Sequence, residues 1–316
     1  MSTVNKRELL LSLARNAQPS ETIPAAFFLH FDPACHRGRA AIDRHLEYFR
    51  YTGMDFVKIQ YEHPFPLLKD ILEPDDWTSM PLYGEDYYAD QLEVVEGIVR
   101  AANEEALVVV TLYSPFMFAS QTAGNQRVVD HLSRDPDRVG RGLKTITESM
   151  LYFVRGCVER GVDGFYASTQ GGESGRLTDK TLFVDYIKPY DLSVWREIEE
   201  SCVFNILHVC DYHGQYEDLE PYVDYPGSVV NCGLELVSGP ISATAVSKMF
   251  GRPYMGGMDR HGVIVSGSEE EIRAEVISAI EKAPERFILA ADCTLPSDID
   301  WKNIRTAVDA AHRYQR

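Results

Sequence analysis

Phe204-Asn205-Ile206-Leu207-His208-Val209-Cys210-Asp211 is a short apolar run that ends in two side chains able to bind a metal. A run of this length without strict alternation reads as a β-strand covered on both faces. Residues two apart on a strand share a face, so His208 and Cys210 project side by side. Imidazole and thiolate suit zinc, which needs at least a third protein ligand. Cys293 is one candidate, closing Phe287-Ile288-Leu289-Ala290-Ala291-Asp292-Cys293. Cys232 is another, closing Ser228-Val229-Val230-Asn231-Cys232.

The same kind of run recurs along the chain, at 25–30, 55–60, 106–112, 164–168, 228–232, 253–257 and 287–291. Helical spacing fills most of the intervals: 40–51, 90–102, 135–160, 190–201, 241–250, 268–282 and 299–314. Gly53 is a C-terminal stop and Pro136 sits in a first turn. The crossover at 215–225 carries the weakest helical pattern. A short amphipathic helix is expected over 4–15, as an N-terminal extension that caps the body or meets another subunit. Eight strand–crossover units in 316 residues predict an α/β chain. The expected architecture is a (β/α)8 TIM barrel, as one domain over 1–316. The competing open doubly wound sheet lacks a G-x-G-x-x-G after the first run. A long loop holding Pro64, Pro66, Pro74 and Pro81 follows the second run, and loops of that length tend to be functional.

Hydrophobic content of 45% and charged content of 25% fit an ordinary globular chain, and no run is long enough to span a bilayer. The first eight residues lack the apolar centre of a secretory signal. Six cysteines without dense spacing do not make a disulfide framework, so a reducing, cytoplasmic setting is expected. The formal net charge of −17 opposes general binding to nucleic acid. It leaves room for an anionic ligand in a local basic pocket.

In a barrel of this kind the chemistry lies where strands end and the following loops begin. His30 follows the first run, and Gln60, Tyr61, Glu62 and His63 the second. Tyr113 follows the third, and Gln170 and Glu173 the fourth. His208 and Cys210 end the fifth, Cys232 ends the sixth, Asp259 follows the seventh and Cys293 ends the eighth. Cys35, Cys157 and Cys202 fall in loop or helix and read as structural. His36 and His261 read as ordinary loop histidines.

Over nearly its whole length the sequence resembles the uroporphyrinogen decarboxylase superfamily. The resemblance is carried by Tyr113-Ser114-Pro115-Phe116, Gly161-Val162-Asp163-Gly164 and Gly256-Gly257-Met258-Asp259-Arg260. Gly267-Ser268-Glu269-Glu270-Glu271-Ile272 and the 288–293 segment add to it. It implies the same barrel. Decarboxylases of the superfamily carry an R-Q-A-G-R-Y segment near the first strand. Here that region reads Phe27-Phe28-Leu29-His30-Phe31-Asp32-Pro33, without the paired arginines. The zinc-dependent corrinoid methyltransferases carry His-x-Cys after the fifth strand and a cysteine after the eighth, which His208, Cys210 and Cys293 match. The spacing is also similar to the zinc site of cobalamin-independent methionine synthase. That enzyme has a glutamate where this chain has Cys232, which leaves Cys232 open as a fourth ligand. The familiar glycine after His-x-Cys is Asp211 here.

The resemblance therefore implies a zinc-dependent methyltransferase working between a corrinoid, as methylcobalamin or a corrinoid protein, and a small thiol or similar acceptor. The zinc would hold the acceptor thiol deprotonated. Tyr113, Gln170, Glu173 and Asp259 would orient the acceptor, and His30 would contact the cofactor. The sequence has no D-x-H-x-x-G motif, so a separate corrinoid protein is the expected partner. Self-association as a homodimer is a further expectation. Two alternatives are a metal-free lyase of the decarboxylase type and a non-catalytic partner of a corrinoid protein.

Overall fold

Seven strands, all parallel, form one sheet in the computed structural model, which describes residues 5–15 and 22–315. They are β1 (Phe56–Ile59), β2 (Leu107–Tyr113), β3 (Gly164–Thr169), β4 (Ile206–Val209), β5 (Val229–Cys232), β8 (Tyr254–Met258) and β9 (Phe287–Ala291). Their order in the sheet is β1-β2-β3-β4-β5-β8-β9, which follows the chain. β6 (Glu235–Leu236) and β7 (Gly239–Pro240) form a small antiparallel pair outside it. Residues of β1, β3, β4, β5 and β9 are buried throughout, as expected for strands covered on both faces.

The helices are α1 (Lys6–Ala14), α2 (Gly38–Thr52), α3 (Glu85–Ala102), α4 (Pro115–Ala123), α5 (Asn125–Arg134) and α6 (Pro136–Glu159). After them come α7 (Lys188–Ser201), α8 (Ala243–Phe250), the short α9 (Val263–Ser266), α10 (Glu269–Lys282) and α11 (Trp301–Arg313). Local chemistry sets their ends. Gly53 stops α2 with φ +76°, in the left-handed region. Asp135 accepts from Arg138 N ahead of Pro136 in α6. Ser268 and Glu271 form a reciprocal capping box on α10. The 215–225 interval holds only a 3-10 turn at Glu220–Tyr222, in keeping with its weak pattern. Of the helix expected over 4–15, residue 4 lies outside the described residues, as do 1–3 of the segment read for a secretory signal.

Helix α1 is tied to the lower ends of two strands. Arg7 donates to both Asp163 oxygens (2.8 and 2.6 Å), and Asp163 Oδ2 also accepts from Val108 N at 2.8 Å. A carboxylate that takes a guanidinium fork and a backbone N–H fixes α1 against the starts of β2 and β3.

The 25–30 run departs from expectation. It is not a full strand but makes two isolated parallel bridges, Ala25 to Leu289 and Leu29 to Leu295. On the β9 side it has backbone bonds: Ala26 N to Leu289 O (3.0 Å) and Leu289 N to Pro24 O (2.8 Å). On the β1 side, side chains take its donors. Ala25 N donates to Asp55 Oδ2 (2.7 Å) and Phe27 N to Met54 Sδ (3.1 Å). A ladder cannot form where side chains hold the N–H groups.

Asp191, in the first turn of α7, is fully buried. Its Oδ2 accepts from Thr169 Oγ1 (2.6 Å) and Tyr225 OH (3.0 Å), while Oδ1 has no hydrogen-bond partner among the described residues. Burial pushes this carboxyl up to about 7, against both hydrogen bonds. An unfolded chain releases the same proton at about pH 4. Between those values only the folded state keeps the proton, so stability falls as pH rises through the window. An asparagine side chain at this position would keep an oxygen for both donors and carry no charge. Asp191→Asn is therefore expected to be more stable than the parent at about pH 8, by up to about 4 kcal/mol, with no such gain at about pH 4. Melting curves at the two pH values check this.

Candidate metal centre

The end of β4 sets the first two candidate ligands. Strand pairing continues one step beyond Val209, since Cys210 N donates to Thr169 O at 3.1 Å. His208 and Cys210 therefore keep the two-residue spacing of a strand and share a face. Cys293 lies two residues past β9. One ligand atom from each of the three lies within 4.8 Å of the others, and His208 Nε2 is 3.4 Å from Cys293 Sγ. All three residues are buried. The two sulfurs are close enough to shift one another's proton affinity. The bond from Cys210 lowers the Cys293 thiol, helped by His208, and the same bond with burial raises Cys210.

This donor set fits zinc. One imidazole nitrogen and two sulfurs match its ligand preference, and three protein ligands leave a tetrahedral position for a substrate. Metal–ligand bonds of about 2.0 Å to nitrogen and about 2.3 Å to sulfur would place the ligand atoms roughly 3.5–3.8 Å apart. The His208–Cys293 pair is already that close, and no pair in the cluster is more than 4.8 Å apart. The His208 ring is set by packing, with its centroid 5.0 Å from that of Tyr166. Its Nδ1 is buried without a hydrogen-bond partner among the described residues.

The cluster lines an open cavity of about 770 Å³ at the strand ends, a size suited to a small molecule. Gln170 also lines it, with Nε2 donating to Cys210 Sγ at 3.2 Å. Arg176 holds that amide from behind through Nη1 to Gln170 Oε1 (3.3 Å). Tyr113 is a third lining residue, and burial pushes its hydroxyl well up, so it is a proton donor at neutral pH. His30 stands at the cavity too, with Nδ1 2.8 Å from Glu62 Oε1. Helix α4, which the sequence reading passed over, brings Met117, Ser120 and Gln121 to the cavity wall.

The profile of the uroporphyrinogen decarboxylase (URO-D) family matches residues 49–314. The chain belongs to the uroporphyrinogen decarboxylase family. Solved structures agree on the fold. A methyltransferase from Methanosarcina mazei superposes with a TM-score of 0.78 at 16% identity, covering 98% of each chain. A B12-independent methionine synthase from a Shewanella species gives 0.55 at 11% identity, covering 93% of this chain and 96% of that one. A putative vitamin-B12 independent methionine synthase from Listeria monocytogenes gives 0.53 at 12%, covering 93% and 97%. No curated protein matches the chain in sequence.

Three expected residues of this URO-D family member lie elsewhere. Cys232 is outside the metal-ligand cluster. The register pairs His208 with Asn231 and Val209 with Cys232, so Cys232 shares the face of Val209 and joins the apolar core. Asn231 takes the inward position, where it accepts from Tyr166 OH and donates to Met255 O (2.9 Å) and Ala291 O (3.1 Å). Glu173 does not line the cavity. It accepts from Gly171 N (2.7 Å) and from Arg176, and so shapes the loop that carries Gln170. Burial raises its carboxyl, opposed by the Arg176 guanidinium. Asp259 does not line the cavity either, and its Oδ1 accepts from His261 N at 2.8 Å.

Lys58 is the residue that sequence reasoning missed. It sits in β1, is 6% exposed and lines the cavity. Its one visible sign was a charge in the middle of the apolar run at 55–60.

Proposed function

We propose that this chain is a methyltransferase moving a methyl group between a corrinoid and a thiol or similar small acceptor, at a zinc site held by His208, Cys210 and Cys293. The observation that carries the reading is the convergence of those three side chains at one cavity. Zinc, when bound there, supplies the Lewis acidity that keeps an acceptor thiol deprotonated at neutral pH. The protein's own groups do the rest. Gln170, fixed by Arg176, holds the Cys210 sulfur in place. Tyr113 offers a protonated hydroxyl to the acceptor. His30, paired with Glu62 at the cavity wall, would contact the corrinoid.

A porphyrinogen decarboxylase needs free basic groups for several carboxylates. Among the described lining residues the only arginine is Arg260, which Asp211 and Asp292 hold at 2.7 and 2.8 Å, and the only lysine is Lys58, which leaves one free base where several carboxylates would need several. That arrangement favours the methyltransferase over the lyase.

The same reading takes residues 1–316 as one domain, with the 25–30 run as the eighth stave that closes the sheet into a (β/α)8 barrel. It takes the corrinoid to arrive on a separate protein, the setting to be cytoplasmic, and the chain to pair with a second copy. Among the described residues no helix is long and apolar enough to cross a membrane.

Elemental analysis of untagged protein tests the reading first. Roughly one zinc per chain is expected. Transfer from methylcobalamin to a small thiol, followed through the corrin spectrum, tests it next. Protein that reconstitutes with no zinc and moves no methyl group to any thiol would end it.

A further inference from the structure

The cavity has a composition that the chain as a whole does not. The protein carries 48 aspartates and glutamates and a formal net charge of −17. None of the acidic residues is among the cavity's described lining residues, which include Lys58, Arg260, His30, His208, His213 and His261. Of the two side chains there that are neither acidic nor histidine but can carry positive charge, Arg260 is already held between Asp211 and Asp292. Lys58 has no carboxylate partner among the described residues. Its Nζ donates to the neutral Gln60 Oε1 at 2.8 Å and lies 4.6 Å from the ring centroids of both Phe28 and Tyr166.

That position is built. Gln60 Oε1 also accepts from Thr111 Oγ1 (3.0 Å), and Gln60 Nε2 donates to Leu29 O. The amide therefore cannot turn, and the two rings confine the ammonium from either side. An ammonium has three donors, and only one has a hydrogen-bond acceptor here. A buried cation without a counter-charge is costly. Burial accordingly lowers Lys58 to about 7, although Cys293, Glu62 and Cys210 pull it the other way at longer range. Glu62 itself is engaged with His30.

We propose that Lys58 anchors an anionic group, a carboxylate or a sulfonate, on the small molecule that occupies this cavity. The inference shares with the proposed function the view that the cavity is the substrate site, but it needs no metal. A rival role for Lys58 is to balance charge on the sulfur pair, and the test must separate the two.

Calorimetric titration with two matched pairs does so: mercaptoacetate against mercaptoacetamide, and the thiol-free methoxyacetate against methoxyacetamide. The parent protein is expected to bind the acid of at least one pair about 10-fold or more above its amide, the range of a charge-assisted hydrogen bond. Lys58→Met should bring each such preference to within about 2-fold while amide binding and zinc content stay as in the parent. Lys58→Arg, which keeps the charge, should retain part of the preference and guards against a Met variant that fails to fold. Propanesulfonate and propanoate as competitors distinguish the two anions. A preference in the thiol-free pair without zinc would uphold the anchor while the metal reading fails. No acid preference in either pair, an undiminished one in Lys58→Met, or loss of zinc from that variant would overturn the proposal.

Discussion

A Cys293→Ser protein is expected to lose bound zinc and methyl transfer together, while Cys232→Ser keeps both. Cys293 supplies one of the three candidate ligands found among the described residues, and its sulfur lies 3.4 Å from His208 Nε2. A serine hydroxyl does not ionise at neutral pH and is a poor zinc ligand, so two donors would remain for an ion that needs at least three from the protein. The loss should exceed the roughly 10–100-fold in affinity that removal of an outer-shell partner costs. His208→Ala should behave the same way. Cys232 is the informative control, because it ends its strand just as Cys210 does. Its face is that of Val209, in the apolar core. Cys232→Ser should therefore show at most a stability cost of about 1–3 kcal/mol for a buried hydroxyl, without loss of metal. Zinc per chain, read by elemental analysis beside a melting curve for each variant, separates metal loss from unfolding. Full zinc in Cys293→Ser would remove the assignment, as would equal loss in the folded Cys232→Ser.

The contrast between those two cysteines shows what the sequence could and could not carry. Period-two spacing needs no partner strand, so the shared face of His208 and Cys210 was legible from residue numbers alone. Whether Cys232 belongs with them depends on register, and here Val209, not His208, is its neighbour. A one-residue offset moves a side chain to the opposite face, and nothing in 228–232 announces the offset. Lys58 was hidden for a related reason. A lysine in an apolar run reads as an interruption until the rings of Phe28 and Tyr166, distant in sequence, are seen around it. Glu173 and Asp259 follow their strands as expected, but local loop bonds turn both side chains away from the cavity. The strand order needed only short apolar runs separated by crossovers, which is why seven of the eight runs became strands of one parallel sheet. The remaining run, at 25–30, failed because Asp55 and Met54 side chains take its donors, a contact that no periodicity encodes.

Gly164→Ala should be the most destabilising single methyl that can be added to the described strands flanking the site. Gly164 opens β3, and a Cβ there would lie 1.7 Å from the carbonyl oxygen of Phe204 and 2.5 Å from its carbonyl carbon. Both are backbone atoms, so no rotamer change relieves the clash. The backbone cannot shift cheaply either. Val203 N and Phe204 N each donate to Asp163 O at 3.0 Å, and Phe165 N donates to Asn205 Oδ1 at 3.0 Å. Relief means moving the start of β4 away from β3. That disturbs the register placing Ser168 beside His208, and the Cys210 N to Thr169 O bond that holds the next ligand. The cost should pass the usual range for point substitutions, at about 4 kcal/mol or more, and zinc affinity should fall with it. Gly84→Ala is the matched comparison. Gly84 has φ −96° and nothing within 4 Å of an added Cβ, so its change should stay within about 1 kcal/mol even though it caps α3. Urea unfolding of the two variants reads the difference directly. A Gly164→Ala protein as stable as Gly84→Ala would mean that the first residues of β3 and β4 do not approach this closely. The candidate metal ligands at the far end of β4 would then lose the anchorage that sets their position.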